Sequence, residues 1–223
     1  MRFSNKITYK VQMKVITSFF SFLLLITGVS FAQKAETTNA YVQLGNKALL
    51  DGDFKNAVLH LEKSLPAEAN NSDVLYMLGY SYYHSGEYQK AISTFSRVIS
   101  LQPSNVSSYY YRAKARNYLG AQMNSSLAPA EREKILLASI KDYTKAIELN
   151  GEDKKLYQNR AIAYRDYGIL KGQKNPKIYD KTTALSSYKS CINDLQRVLD
   201  SNPGRKDIQE EMKKAKVYMT NLN

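Results

Sequence analysis

Apolar residues recur along this chain at the spacing of an α-helix. Leu75, Leu78 and Tyr82 are three and four residues apart, and similar intervals separate Ile208 and Met212 near the C-terminus. Such spacing places side chains on one face of a helix. Glycine and proline, which interrupt helices, number only 10 and 5 among 223 residues. The pattern therefore predicts an all-α protein.

The helical pattern repeats after 34 residues. The segment "YVQLGNKALLDGDFKNAVLHLEKSL" aligns with "LYMLGYSYYHSGEYQKAISTFSRVI" in one register. The matched positions are Leu44-Gly45 with Leu78-Gly79, Gly52 with Gly86, Phe54 with Tyr88, Ala57 with Ala91, and Leu61 with Phe95. The first copy departs from the second at Ala48, which replaces a tyrosine, and at Ala69, which replaces a proline. A period of this length predicts paired helices that stack on their neighbours.

Two further copies follow, and each contains extra residues. Ala113 and Ala161 take the position of Gly79 and are 48 residues apart, 14 more than the period. The surplus of the third copy follows Gly120, and the surplus of the fourth copy, 18 residues, follows Gly168.

Each insertion contains a proline that indicates the start of a helix. Proline is well tolerated in the first helical turn, and Pro129 and Pro176 both precede apolar residues at helical spacing. We therefore predict lengthened second helices at about 129–149 and 177–200, as opposed to disordered loops. Cys191 takes the position of a small residue between these helices, which favours a packing role over a reactive one.

These residues resemble the tetratricopeptide repeat, whose pattern runs from an aromatic residue, Leu-Gly and Tyr to Ala, Phe and Pro over 34 residues. The resemblance implies a right-handed solenoid of about four helix-turn-helix units. In such units Gly45 and Gly79 allow close helix packing, Gly52 and Gly86 turn the chain, and Pro103 ends the unit. The predicted order is a signal peptide at 1–32 and a solenoid domain at 33–223, with repeats at about 38–71, 72–105, 106–153 and 154–205 and a capping helix at about 206–221.

One stripe of tyrosines is separate from the predicted core. Tyr76, Tyr80 and Tyr83 are at positions i, i+4 and i+7, and the resemblance implies that this stripe of the first helices lines the concave face. The alternative is that the insertions fold back and bury these rings. The tyrosines assigned to the core instead are Tyr41, Tyr82, Tyr88, Tyr109, Tyr143, Tyr157 and Tyr164.

Tyrosine, amide and cationic side chains together suit the binding of a peptide. Tyrosine offers a large rigid face and a hydroxyl group at a low cost in conformational entropy. Lys114 and Arg165 are the expected polar anchors. The predicted partner-binding residues are Tyr76, Tyr80, Tyr83, Tyr110, Tyr111, Lys114, Asn117, Tyr118, Asn159 and Arg165.

The carboxylate clamp of one variant of the family is absent from the sequence. That variant holds the C-terminal carboxylate of chaperones with two lysines, two asparagines and an arginine. Only Asn46 matches, and Val42, Met77, Ser107 and Tyr111 stand at the other four positions.

The first 32 residues have the composition of a secretory signal peptide. Four basic residues precede the apolar run "VITSFFSFLLLITGVSFA", which ends in the small-x-small sequence Ser30-Phe31-Ala32. We expect cleavage after Ala32, because polar residues dilute the apolar run; the alternative is an uncleaved membrane anchor. The expected location is the periplasm or cell envelope of a Gram-negative bacterium, or the exterior after secretion.

Charge and rare residues limit the function. The net charge is +12, and residues 106–223 carry 22 basic and 13 acidic side chains. A basic half favours anionic partners, but export argues against nucleic acid. The single cysteine excludes an internal disulfide, and the sequence lacks the short motifs typical of metal sites, nucleophilic catalysis and phosphate-binding loops.

The sequence thus predicts a non-catalytic, exported scaffold with no metal and no cofactor. Its expected partner is a protein or peptide of unknown identity, with membrane contact only during export. The alternative is a structural or anionic-polymer-binding module of the cell envelope that uses the basic half from Arg112 to Lys216.

Overall fold

The computed structural model describes residues 40–123 and 126–222, and all regular structure within these ranges is helical. The predicted signal peptide lies outside them. No helix in the described ranges has the length and apolar character needed to cross a bilayer. The helices are α1 at 40–50, α2 Phe54–Glu68, α3 Ser72–His84, α4 Tyr88–Leu101, α5 Val106–Ala121, α6 Pro129–Leu149, α7 Lys154–Gly172, α8 Lys181–Ser201 and α9 Lys206–Thr220.

Short polar side chains fix where several helices begin. The Asn71 carboxamide accepts hydrogen bonds from the backbone N–H groups of Asp73 and Val74, and Asn105 accepts one from Ser108. These bonds satisfy N–H groups that have no partner within the helix. Asp153 starts α7 in the same way.

The glycines of the first two hairpins have the two roles predicted for them. Gly52 and Gly86 have φ angles of 74° and 84°, a left-handed conformation that favours glycine in the turns α1–α2 and α3–α4. Gly79 packs directly on Phe95, and a Cβ on Gly79 would lie 3.1 Å from that ring. Helix packing is therefore close at this position and favours a residue without a large side chain.

The helices form hairpins that stack into a helical-repeat solenoid, as predicted. Within the described residues α3 contacts α5, α5 contacts α7 and α7 contacts α9, whereas α4, α6 and α8 do not contact one another. The first helices thus lie closer together than the second helices, so they form the concave face. The final helix, α9, packs on α7 and α8 through Ile208, Met212 and Ala215.

The insertions lengthen both helices of hairpins three and four. The predicted second helix at 129–149 is confirmed, and α6 and α8 have 21 residues where α4 has 14. The first helices are also longer, which the sequence interpretation missed: α5 has 16 residues and α7 has 19, against 13 in α3.

Gly120 and Gly168 allow the lengthened helices of hairpins three and four to pack closely. Each is seven residues after the alanine that replaces Gly79, the separation that puts a turn glycine in hairpin two. Both remain helical, and a Cβ would lie 2.7 Å from Leu136 Cγ at Gly120 and 2.6 Å from the Tyr188 ring at Gly168. The added turns of α5 and α7 are therefore in close contact with α6 and α8, respectively.

The prediction that Pro176 starts a helix was wrong. α8 begins at Lys181, where the Asp180 carboxylate accepts hydrogen bonds from the backbone N–H and the hydroxyl of Thr183. Pro176 lies in a turn in which Asn175 accepts from Lys177 N, and Ile178 is buried just after it. The polar cap determines the helix start here, and the proline does not.

Two arginines hold hairpins three and four together and bond each of them to the hairpin before it. Arg112 on α5 donates to both carboxylate oxygens of Asp142 on α6, at 2.7 and 2.8 Å, and to Ser96 on α4. An equivalent set repeats one unit later. There Arg160 donates to Asp194 at 2.8 Å and to Thr144 at 3.1 Å. Each arginine thus links three consecutive helices in space.

Candidate functional site

Four half-buried tyrosines from α3 and α5 form one contiguous group, which we call the tyrosine cluster: Tyr76, Tyr80, Tyr83 and Tyr111. Tyr111 lies at its centre, with ring centroids 6.3 Å from Tyr76, 5.1 Å from Tyr80 and 5.6 Å from Tyr83. All three contacts are edge-on, a favourable arrangement for aromatic rings. The inner faces of these rings pack on the core around Phe95, and their outer parts remain accessible.

Tyr110 does not share this exposure, although it was assigned to the same surface. It is 6% exposed, and its ring contacts Tyr143 at 6.0 Å inside the core. Burial raises the pKa of its hydroxyl to about 12. The residues that cover it, including Lys155 and Asn159, come from α7 and lie outside the insertions. The alternative of insertions folded over the tyrosines therefore does not describe this ring.

A second group of rings extends from Tyr83 toward the exposed edge. Tyr118 is 52% exposed and its ring lies 4.4 Å from that of Tyr88. Tyr88 was assigned to the core, but it is half-buried and also contacts Tyr83 at 5.7 Å. Burial and the Tyr118 hydroxyl raise the pKa of Tyr88 to about 12.

The other tyrosines assigned to the core divide into two sets. Tyr82, Tyr143 and Tyr157 are buried, as predicted. Tyr41, Tyr109 and Tyr164 are only half-buried.

His84 and Phe54 enlarge the aromatic surface and were missed by the sequence interpretation. The His84 ring stacks on Phe54 at 4.6 Å and contacts Tyr80 at 4.3 Å. Burial, and then the charge of Lys114, lower the pKa of the His84 imidazole. The spacing contained a signal, because His84 follows Tyr80 by four residues on the same face of α3.

Lys114 lies among these rings. Its Nζ atom is 5.1 Å from the centroid of Tyr83 and 5.5 Å from that of Tyr110. No carboxylate within the described ranges comes within 4.0 Å of this ammonium group. Burial lowers the pKa of Lys114, and the nearby Tyr80 opposes this effect. A second cation, Lys155 Nζ, lies 5.1 Å from the Tyr110 ring.

The remaining predicted site residues are engaged within the protein. Asn117 donates to Asp166 at 2.8 Å, and Arg165 is ion-paired with both Asp166 and Glu211. The Asn159 amide donates to the backbone carbonyl of Lys155. Arg165 therefore has its charge neutralised inside the fold, whereas Lys114 does not.

A small cavity opens beside the tyrosine cluster, where the N-terminal ends of α3, α5 and α7 meet. Its volume is about 170 Å³, and its walls include Tyr76, Tyr111, Ser107 and Lys155. It is large enough for a side chain of a partner but not for a cofactor.

The described residues offer no arrangement typical of catalysis. They contain no group of three or more metal-ligating side chains. Cys191 is 2% exposed, and burial raises the pKa of its thiol to about 12, so the reactive thiolate is strongly disfavoured. The chemistry that the concave face does supply is stacking, hydrogen bonding by hydroxyl groups and attraction of negative charge.

Comparisons with known proteins agree with this fold. The model of the family "Anaphase-promoting complex, cyclosome, subunit 3" matches residues 51–121. The chain is 23% identical to the Photosystem I assembly protein Ycf3 of Acaryochloris marina over 130 residues, which cover 57% of this chain and 78% of that protein.

Solved structures show the same likeness. MamA AMB-1 has a TM-score of 0.52 and 19% identity, with 74% of each chain covered. An O-GlcNAc transferase of Thermobaculum terrenum aligns with a TM-score of 0.48 and 18% identity over 73% of this chain, which spans only 26% of the transferase.

The stacked hairpins and their concave aromatic face define a helical-repeat solenoid. The 34-residue pattern and the stacked helical hairpins resemble the tetratricopeptide repeat, and the family-model match to residues 51–121 agrees with that resemblance.

Proposed function

We propose that this chain is an exported, non-catalytic scaffold that binds a protein or peptide on the concave face formed by α3, α5 and α7. The tyrosine cluster beside an unpaired lysine is the observation that carries the proposal. Clustered, partly exposed aromatic rings are typical of the residues that dominate binding energy at protein interfaces.

The relatives support the general role. The relative Ycf3 is named as an assembly protein, a name that is in keeping with a scaffold role. Low identity leaves the partner of this chain open, and the signal-peptide composition of residues 1–32 is what supports export.

A photo-crosslinking amino acid tests the binding face in the native host. We would place it at Tyr118, which is 52% exposed beside the cluster, and as a matched control at Tyr179, which is 45% exposed in the α7–α8 loop. We expect a discrete crosslinked protein from position 118, none from position 179, and loss of the adduct when Tyr80→Ala is added. Equal crosslinking at both positions would place the binding surface elsewhere.

The alternative function, binding of an anionic polymer by the basic half, has a candidate location in a cleft between α5 and α6. This cleft has a volume of about 570 Å³ and contains Arg112, Arg116, Lys141 and Lys145. However, both arginines are paired with Asp142, and Lys145 is paired with Glu148. Polymer binding through many cations should weaken steeply with salt, whereas binding through tyrosines should not.

A further inference from the structure

Among the described residues, Lys114 has no carboxylate within 4.0 Å, which sets it apart from three similarly shielded basic side chains. Arg112, Arg160 and Lys171 keep 14%, 16% and 11% of their side chains exposed, and each is ion-paired with a carboxylate. Arg132, which is buried, donates to the backbone carbonyls of Gly120 and Ala121.

The ammonium group of Lys114 lies over the rings of Tyr83 and Tyr110. Cation–ring attraction compensates for lost hydration only in part. A half-buried ammonium group without a carboxylate partner therefore favours an anion supplied from outside the chain.

A second unpaired cation approaches the same place. Lys155 and Lys114 both lie over the Tyr110 ring, at 5.1 and 5.5 Å from its centroid, so two ammonium groups border the same ring. The small cavity beside the tyrosine cluster has Asp153 in its lining, and the Asp153 carboxylate accepts a hydrogen bond from the backbone N–H of Lys155 and caps α7. The capping role holds Asp153 at the helix end, and it does not pair with either ammonium group.

We propose that Lys114, assisted by Lys155, binds a carboxylate of the partner, so that the concave face selects a peptide with an acidic residue next to an aromatic or aliphatic one. The apolar side chain would lie against Tyr80 and Tyr111, whose rings are 5.1 Å apart at the centre of the cluster. This inference rests on the proposed function and adds the chemical class of the ligand. It differs from the carboxylate clamp, because Lys114 is not at a clamp position.

A carboxylate fits better than a nucleic acid backbone. Phosphate backbones are bound by extended rows of exposed cations, whereas these two lysines are set among rings. A carboxylate is compact, and a charge-assisted hydrogen bond is strong in a partly dry site. Its source is either an acidic side chain or the end of a chain.

Selection from a library of random 12-residue peptides tests the proposal with the whole protein. The library is displayed once with its C-terminus free and once with it joined to the display protein, which distinguishes a terminal carboxylate from a side chain. We expect selected peptides to carry Asp or Glu beside an apolar residue. For a synthetic selected peptide, Glu→Gln should weaken binding by about tenfold or more.

Matched variants assign this preference to Lys114. Lys114→Met keeps an apolar stem but removes the charge, and Lys189→Met makes the same change at an exposed position of α8. On Lys114→Met we expect the Glu and Gln peptides to bind within about twofold of each other, while Lys189→Met keeps the tenfold difference. Circular dichroism confirms that both variants are folded.

The outcomes separate this inference from the proposed function. Selected peptides without acidic residues, or an undiminished Glu preference on Lys114→Met, would overturn the role of Lys114 and leave peptide binding intact. Enrichment of phosphorylated over acidic synthetic peptides would replace carboxylate by phosphate as the ligand. Failure of the protein to enrich any peptide would reject binding of short peptides at this face, and the carboxylate site with it.

Discussion

Lys114 loses hydration when the chain folds, and its packing between Tyr83 and Tyr110 has a consequence for stability as well as for binding. An ionic group placed for a ligand commonly costs the free protein some stability, because its interactions are complete only in the complex. The role of Lys114 can therefore be measured both by peptide binding and by the free energy of unfolding.

Lys114→Met should raise the free energy of unfolding by about 1 kcal/mol at pH 7, because it removes a half-buried unpaired charge. Burial holds the pKa of Lys114 in the folded chain below its ordinary value of 10.5. Between the folded and unfolded pKa values the unfolded chain binds more protons, so the stability of the wild type rises with pH in that window.

The difference in free energy of unfolding between Lys114→Met and the wild type should thus be largest at pH values below the folded pKa of Lys114. It should shrink as the pH approaches 10.5. Urea unfolding at several pH values up to 10 measures it, with Lys189→Met as the control. A stability difference between variant and wild type that stays constant over this pH range would mean that folding does not destabilise the ammonium group.

Tyr110 and Tyr118 provide a contrast between neighbouring tyrosines of one helix. Tyr110 is 6% exposed and Tyr118 is 52% exposed. Tyr110→Ala should destabilise the fold by about 3 kcal/mol or more, because it leaves a cavity between α5 and α7. Tyr118→Ala should change stability by no more than about 0.5 kcal/mol. Thermal melting of the two variants decides this; equal melting temperatures would contradict the burial of Tyr110.

The burial of Tyr110 is an example of a feature that helical spacing could not predict. The i, i+4, i+7 spacing correctly separated Tyr76, Tyr80 and Tyr83 from the fully buried stripe of α3. The same spacing could not show that the start of α7 covers Tyr110, because that contact joins residues about 45 positions apart. Pairing of Arg165 with Glu211 depends on an equally distant helix.

At the scale of helices, the most informative residues are the glycines. When Ala161 is aligned with Gly79, Gly168 takes the place of the turn glycine Gly86, because each glycine follows seven residues later. In the structure it is helical and packs on Tyr188, a tyrosine with 2% exposure. A glycine in a turn open to solvent would tolerate a large side chain sterically, whereas a glycine packed against the facing helix would not.

Gly168→Leu should lower the free energy of unfolding by about 1–3 kcal/mol, because the new side chain would overlap the Tyr188 ring. Lys189→Leu on the exposed face of α8 is the control for introducing leucine. Chemical unfolding compares the two, and a Gly168→Leu protein as stable as the control would mean that α7 and α8 are farther apart at this point.

Helix boundaries were predictable where local chemistry sets them. Gly52, Gly86 and Pro129 act through their own backbone preferences, so their positions in the sequence were sufficient. Pro176 was misleading because the competing local signal, the Asp180 cap, lay four residues further on.

At the scale of the whole molecule, the period established the stacked hairpins, and the first 32 residues led to the expectation of export. Cleavage after Ala32 should leave a mature protein that starts at Gln33, since Ser30-Phe31-Ala32 has the small-x-small form. Mass spectrometry of the protein from the native host measures the N-terminus. A protein that still carries residues 19–26 would show that the segment is retained as an anchor.

The unequal lengths of the second helices have a consequence for the shape of the molecule. α6 and α8 exceed α4 by seven residues, which is about two turns or 10 Å of helix. Two full turns return each face to nearly its original direction, so the contacts between successive hairpins are preserved. The length of a hairpin can therefore change without altering how it stacks on its neighbours. Evolution could lengthen the hairpins at one end of the solenoid and leave those at the other end unchanged.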